Sequence, residues 1–147
     1  MELNYEFSFE PLVSQDIEAF ESEYEVNLPE NYKKFLLLNN GGKSVKRRFK
    51  TVDGTITSSV MLFLPLSKET DSNLESFYEK YCTNKIIPSY LIPIGVDPAD
   101  SLICISEQDK VYFCDMDYFE EDNELKDEYI KLVSENFTSF LNNLYEV

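Results

Sequence analysis

Residues 28–42 read LPENYKKFLLLNNGG. They join a helix with a strongly apolar face to a stop so abrupt that the backbone must turn there. Pro29 suits the first position of a helix, where its missing N–H costs nothing, and Tyr32, Phe35 and Leu36 fall on one face. Beyond that face, Gly41 suits the left-handed residue just past a helix end, a conformation that glycine enters without steric cost. The stretch predicts a helix docked by its apolar face and followed at once by a change of direction.

Working outward, Ser14 is suited to cap an earlier helix in which Ile17, Phe20 and Tyr24 recur at i, i+3, i+7 with acids between them. Downstream, RRFKTVDGTITSSV (47–60) carries an Asp53-Gly54 turn between β-rich flanks, a hairpin signal, and VMLFLPL continues the sheet. Ser72 and Glu75 have capping-box spacing ahead of Leu74, Phe77, Tyr78 and Tyr81, which predicts a helix over 72–82. YLIPIG, SLICIS and KVYFCD are three short β-rich runs joined by connections too short for a parallel crossover, so they read as an antiparallel meander. Ser134 then caps a closing helix with the stripe Phe137, Phe140, Leu141 and Leu144. Helices, then strands, then one helix describe an α+β architecture. With no repeat, linker or low-complexity tract, residues 1–147 read as a single domain.

A chain of 147 residues can bury about 70% of its unfolded surface without disulfides or metals. Its 43% hydrophobic and 14% aromatic content argues against disorder. The net charge of −15 repels nucleic acid and anionic membrane, while it can steer a cationic protein partner. Cys82, Cys104 and Cys114 are odd in number and lack C-x-x-C spacing, which fits reduced thiols in a cytoplasmic protein. Whether Cys104 and Cys114 share a face depends on strand register. MELNYEFSFEPLVS has neither a basic leader nor an uninterrupted apolar core, so a cleaved signal is not expected.

Histidine is absent, which removes the commonest general base and any triad built on it. A calcium loop starting at Asp115 would need glycine at Glu120 and glutamate at Lys126, and Gly41-Gly42-Lys43-Ser44 follows a helix where a P-loop follows a strand. No catalytic residue, metal or cofactor is expected. Charge is uneven instead. The first 32 residues hold nine acids and no base, residues 33–50 hold seven of the 13 bases, and residues 115–128 hold eight acids and one lysine. The last run, DMDYFEEDNELKDE, surrounds Tyr118 and Phe119 with acids, a composition suited to binding a basic protein. Asp115, Asp117, Tyr118, Phe119, Glu120, Glu121, Asp122 and Glu124 are the candidate partner-binding residues. The opposite reading has Tyr118 and Phe119 turned inward as anchors. A rival surface is the acidic first helix, with Glu18, Glu21, Glu23 and Glu25.

The order of these features is specific where each alone is weak. Leu28, Pro29, Tyr32, Phe35, Leu36, Asn40, Gly41 and Gly42, then Pro93, Ile94, Gly95 and Asp97, are followed by Val111, Tyr112, Phe113, Asp115 and Asp117. With the closing stripe, they resemble the Smi/Knr homology group of the SUKH superfamily from about residue 14 to residue 145. The chain departs from that pattern at Pro98-Ala99-Asp100, where a glycine-rich turn is usual, and at Cys114 and Met116, where Trp and His are common. The resemblance implies a twisted antiparallel sheet packed against helices and a protein-binding role without catalysis. It further implies a bacterial immunity protein that neutralises a cognate toxin of a polymorphic toxin system, a basic protein such as a nuclease. A regulatory or scaffold module, as in the fungal branch, is the alternative it carries.

Overall fold

The computed structural model describes residues 3–121 and 123–146. Along the chain run β1 (Tyr5–Phe7), α1 (Ser14–Tyr24), α2 (Glu30–Leu38), β2 (Lys43–Ser44), β3 (Arg48–Lys50), β4 (Thr57–Ser59) and β5 (Leu62–Phe63). There follow α3 (Leu74–Phe77), which widens into a π-helical turn at Tyr78–Thr83, β6 (Leu91–Val96), β7 (Leu102–Ser106) and β8 (Val111–Cys114). Short 3-10 turns at Met116–Tyr118 and Asp127–Tyr129 lead to β9 (Ile130–Ser134) and α4 (Phe137–Asn143).

The abrupt stop after α2 has a cause other than a left-handed cap. The helix ends with Asn39 in extended conformation (φ −145). Gly41 is left-handed (φ +63), but what excludes a side chain there is crowding, because a Cβ would lie 2.6 Å from the Phe63 carbonyl oxygen. At Gly42 (φ +110) a Cβ would lie 2.1 Å from the Phe7 carbonyl oxygen. Two other chain segments cross within van der Waals distance of this turn, and glycine is the residue that lets them. The Gly42 N–H donates to Phe63 O (2.9 Å) and Phe63 N–H returns the bond to Gly42 O (2.8 Å). Buried Asn40 ties the rest, with its Nδ2 donating to Glu10 O (2.8 Å) and Leu66 O (2.9 Å) and its Oδ1 accepting from Leu66 N–H (2.9 Å).

Among the described residues, β5 to β9 form one antiparallel sheet in sequence order, with the expected meander at β6, β7 and β8. The 47–60 hairpin is present as β3 paired with β4 around Gly54 (φ +75). The Pro98-Ala99-Asp100 turn is held by Asp97, whose Oδ1 accepts from Ala99 N–H (3.0 Å) and Ser101 N–H (2.8 Å), while Asp100 takes the left-handed conformation (φ +65) that glycine would otherwise supply. β1 and β9 are elements that the hydrophobic pattern did not announce. β9 is out of step with strict alternation because the β8–β9 register shifts between Val111 and Tyr112.

Register sorts the sheet into two faces. Phe63, Gly95, Ile103 and Phe113 pair in one row, and Leu62, Val96, Leu102, Cys114 and Ile130 pair in the next, on the opposite face. Phe113 meets Phe49 (ring centroids 5.9 Å apart), and Phe35 meets both Phe63 and Phe137 at 5.1 Å, so α2 and α4 cover the phenylalanine face. Phe137, Phe140, Leu141 and Leu144 are all buried, as their spacing predicts. Cys104 and Cys114 share the opposite face, with sulfurs 3.8 Å apart, and the Cys82 thiol of the π turn donates to Leu91 O (3.4 Å) above it. All three thiols are free. Burial pushes the Cys82 thiol up to about 12 and Cys104 well above the ordinary thiol range, which favours the neutral thiol at both.

Four helix starts fall one or two residues from their expected places. Val13 precedes α1, and its N–H donates to Asp16 (2.9 Å), so Ser14 is helical; Pro29 occupies the cap position before Glu30. Asn73 caps α3 by accepting from Ser76 N–H (2.8 Å), displacing Ser72. Asn136 caps α4 by accepting from Ser139 N–H (2.8 Å), because Ser134 still belongs to β9. In both of these last cases asparagine, as good a cap as serine, stands directly before the buried stripe.

Candidate functional site

The acidic 115–124 segment leaves the sheet at the end of β8, and its entry is fixed by backbone bonds. Asp115 N–H donates to Tyr129 O (2.9 Å), and the Asp115 carboxylate accepts from Asp117 N–H (3.2 Å), opening the 3-10 turn. Met116 N–H donates to the Ser101 hydroxyl (2.9 Å), which anchors the same turn to the start of β7. The far end is held by buried Leu125, whose N–H donates to Ile86 O (2.8 Å).

Between these two anchors the side chains divide. Tyr118 is 54% exposed, and its ring stacks on Tyr129 with centroids 4.2 Å apart and planes 3° from parallel. Asp117, Glu120, Glu121 and Glu124 are exposed, while Asp115 is half-buried. Phe119 is half-buried and lines a hollow of about 790 Å³ with Asn84, Lys85, Ile86, Glu121, Asn123 and Glu124. Asp122, the remaining member of the sequence-derived set, lies outside the described residues. Of the two readings of the aromatics, the inward one fits Phe119 in part and does not fit Tyr118; Leu125 is the residue that pins the loop.

Among the described residues, none of Asp115, Asp117, Glu120, Glu121, Glu124, Asp127 and Glu128 pairs with a basic side chain. The rival surface differs on this point. Glu21 accepts from Leu28 N–H (2.8 Å) and pairs with Lys33 (3.6 Å), and Glu30 pairs with Lys33 at 3.0 Å. Glu6 takes both Lys43 (3.5 Å) and Arg47 (2.9 Å). Glu18, Glu23 and Glu25 remain exposed. A groove of about 490 Å³ beside α1 includes Glu10, Asp16, Glu23 and Glu75. At its rim Glu10 accepts from the Ser67 hydroxyl (3.0 Å). The hydrogen bond between Glu10 and Glu69 holds the Glu69 carboxyl above its ordinary range and Glu10 below.

Sequence reasoning missed Tyr129, on which Tyr118 stacks, and the separate ring pair of Tyr90 and Tyr112. Tyr129 comes from the turn before β9, and Tyr90, 46% exposed, precedes β6 and lies 6.0 Å from the Tyr112 ring of β8. The β8–β9 pairing and the bond from Asp115 N–H to Tyr129 O bring Tyr129 beside the acidic segment, which the order of the sequence does not announce. No group of His, Cys, Asp or Glu among the described residues is arranged to hold a metal ion. No helix among them is long and apolar enough to cross a membrane. In comparisons with known proteins, a family model described as the SMI1/KNR4 family (SUKH-1) matches residues 11–143. No curated protein matches the chain.

Proposed function

The chain belongs to the SMI1/KNR4 family (SUKH-1), and from that premise we propose that it is an immunity-type protein that binds and neutralises a basic toxin, without catalysis of its own. The binding surface in this reading is the 115–124 segment, with Asp115, Asp117, Tyr118, Phe119, Glu120, Glu121, Asp122 and Glu124. The observation that supports it is a run of carboxylates that, among the described residues, have no cationic partner and flank an exposed aromatic ring. Unpaired charges at a surface steer an oppositely charged protein into encounter, and a partly ordered tyrosine supplies the apolar area that slows its departure. Covering a basic nucleic-acid-binding surface or active site with such a patch would exclude the substrate from it.

Co-expression with the products of the open reading frames that neighbour this gene, screened for toxicity, tests the reading. The wild-type chain is expected to restore growth, and a Glu120→Lys/Glu121→Lys/Glu124→Lys chain to lose that protection while folding normally. Protection that survives the charge reversal would move the surface elsewhere, with Glu18, Glu23 and Glu25 as the next residues to reverse. A chain that protects against no such toxin would return the protein to the regulatory or scaffold role.

A further inference from the structure

We propose that a basic hollow walled by β2, β3 and β4 is a docking site for the aspartate or glutamate side chains of an acidic segment in a protein partner. It shares no residue with the 115–124 segment, and neither assignment needs the other.

The sequence concentrates cations in this part of the chain, since residues 33–50 hold seven of the 13 bases and no acid. The fold then gathers three of them around one hollow of about 310 Å³, lined by Lys43, Arg47, Arg48, Ser59, Met61 and Pro98. Its walls are fixed by backbone bonds. Arg48 lies opposite Ser59 in the β3–β4 pair, which puts the two side chains on the same side of the hairpin. Along its other edge Arg48 N–H donates to Tyr145 O (3.0 Å), and Tyr145 N–H returns a bond to Arg48 O (3.1 Å). Met61 N–H donates to Val96 O (2.8 Å), and the Ser58 hydroxyl donates to the Asp97 carboxylate (2.8 Å), so β4 and the turn that carries Pro98 are tied together.

Two of the three cations already show what they take. Glu6 of β1 places Oε2 3.5 Å from Lys43 Nζ and 2.9 Å from Arg47 Nη1. The Glu6 side chain is 49% exposed, so this is a weak surface pair that an incoming carboxylate can replace. Arg48 has no carboxylate partner among the described residues. Asp97, next to Pro98, is buried, and its oxygens accept from the Ser58 hydroxyl and from the N–H groups of Ala99 and Ser101. A guanidinium presents a planar fork that matches a carboxylate, and the Ser59 hydroxyl can donate to the same group. Met61, 41% exposed, and Pro98 offer apolar contact to the methylenes of a glutamate. Net charge selects the kind of anion. A chain of −15 repels a polyanion such as nucleic acid, whereas an acidic protein segment brings only a few charges to a locally positive wall.

NMR titration with a capped peptide carrying two adjacent glutamates in an alanine frame, and with its glutamine counterpart, tests the inference. The glutamate peptide is expected to shift the amide signals of Arg48 and Ser59 and the methyl signal of Met61, and the glutamine peptide to leave them in place. Arg48→Gln, which breaks no ion pair among the described residues, should weaken binding about tenfold. Lys34→Gln changes the net charge equally from α2 and should leave the affinity unchanged. Glu6→Gln removes the internal competitor and should strengthen binding about threefold. Equal response to the two peptides, equal weakening by Arg48→Gln and Lys34→Gln, or an affinity that Glu6→Gln does not raise overturns the inference. Inorganic phosphate that shifts these signals where the glutamate peptide does not overturns the carboxylate assignment. Shifts of the same signals on raising the protein concentration alone, together with those of the 115–124 amides, overturn it too by making a second copy of the chain the occupant.

Discussion

The first 32 residues and the 115–128 segment carry almost equal numbers of acids, nine against eight, yet the fold treats them differently. Near the N-terminus Glu6, Glu21 and Glu30 are matched with the lysines and arginine of residues 33–47, and Asp16 holds the start of α1. In the later segment Asp115 accepts from a backbone N–H, Asp117, Glu120, Glu121, Glu124, Asp127 and Glu128 are exposed, and the described residues offer these acids no cation. Two acid-rich runs are therefore handled differently, one joining segments of the fold and one without a cationic partner among the described residues, as the proposed binding role requires. What separates them is internal pairing, which a count of charges does not report.

The comparison breaks most visibly if α2 is not the frame on which the N-terminal acids are mounted. Phe35 of α2 touches Phe63 and Phe137, so Phe35→Ala should lose about 3–5 kcal/mol in equilibrium denaturation, with a similar loss for Phe140→Ala. Unchanged midpoints in both variants would show that the frame lies elsewhere. A smaller effect sharpens the contrast between the acids themselves. Glu21, with its side chain 16% exposed, serves both Leu28 N–H and Lys33, so Glu21→Gln is expected to cost about 1–2 kcal/mol by the same assay. A cost near zero would place Glu21 with the free acids.

Asp53 extends the structural class of acid into the β3–β4 hairpin. The Thr55 N–H first, then the Thr55 and Thr51 hydroxyls, hold its carboxyl well below the usual range, and Lys131 pairs with it at 3.2 Å. A carboxyl depressed in the folded state stabilises above its unfolded value of about 3.9, and that contribution disappears as the pH falls towards its folded value. Asp53→Asn should therefore lower the unfolding midpoint at neutral pH and flatten its decline below about pH 4. Parallel acid-side curves for both chains would contradict the assignment. The smallest expected change belongs to Glu120→Gln/Glu121→Gln/Glu124→Gln, which should move stability by no more than about 0.5 kcal/mol. With a toxin in hand, the same chain should associate more slowly and with a weaker salt dependence, since these charges act through a Debye length of about 8 Å. A large loss of stability would make this segment structural after all.

Much of the fold was legible because its signals are local. The phenylalanine and leucine stripe of α4 and the turns around β6, β7 and β8 are written at spacings that one helix or one strand imposes. β1 stayed hidden because it is three residues long and pairs with a two-residue strand 39 positions away at Ser44. Helix starts were misplaced where Ser and Asn compete as caps, which composition does not rank. In the site, the acids and Tyr118 could be read from one continuous run. Tyr129 could not, because its place against Tyr118 is created by the β8–β9 pairing and by the turn that Asp115 closes.

The knot formed by Asn40, Gly41 and Gly42 has a consequence for how the molecule opens. Leu66 N–H is held by the Asn40 side chain, Gly42 N–H by Phe63 O, and Phe9 N–H by Asn40 O (3.2 Å), so three amides from three segments depend on one turn. None can reach solvent deuterium while that turn stays closed, and releasing it frees the N-terminal strand and the sheet edge together. Hydrogen exchange at these positions should accordingly proceed as a single cooperative unit, slower than at the amides of the exposed residues Glu120, Glu121 and Glu124.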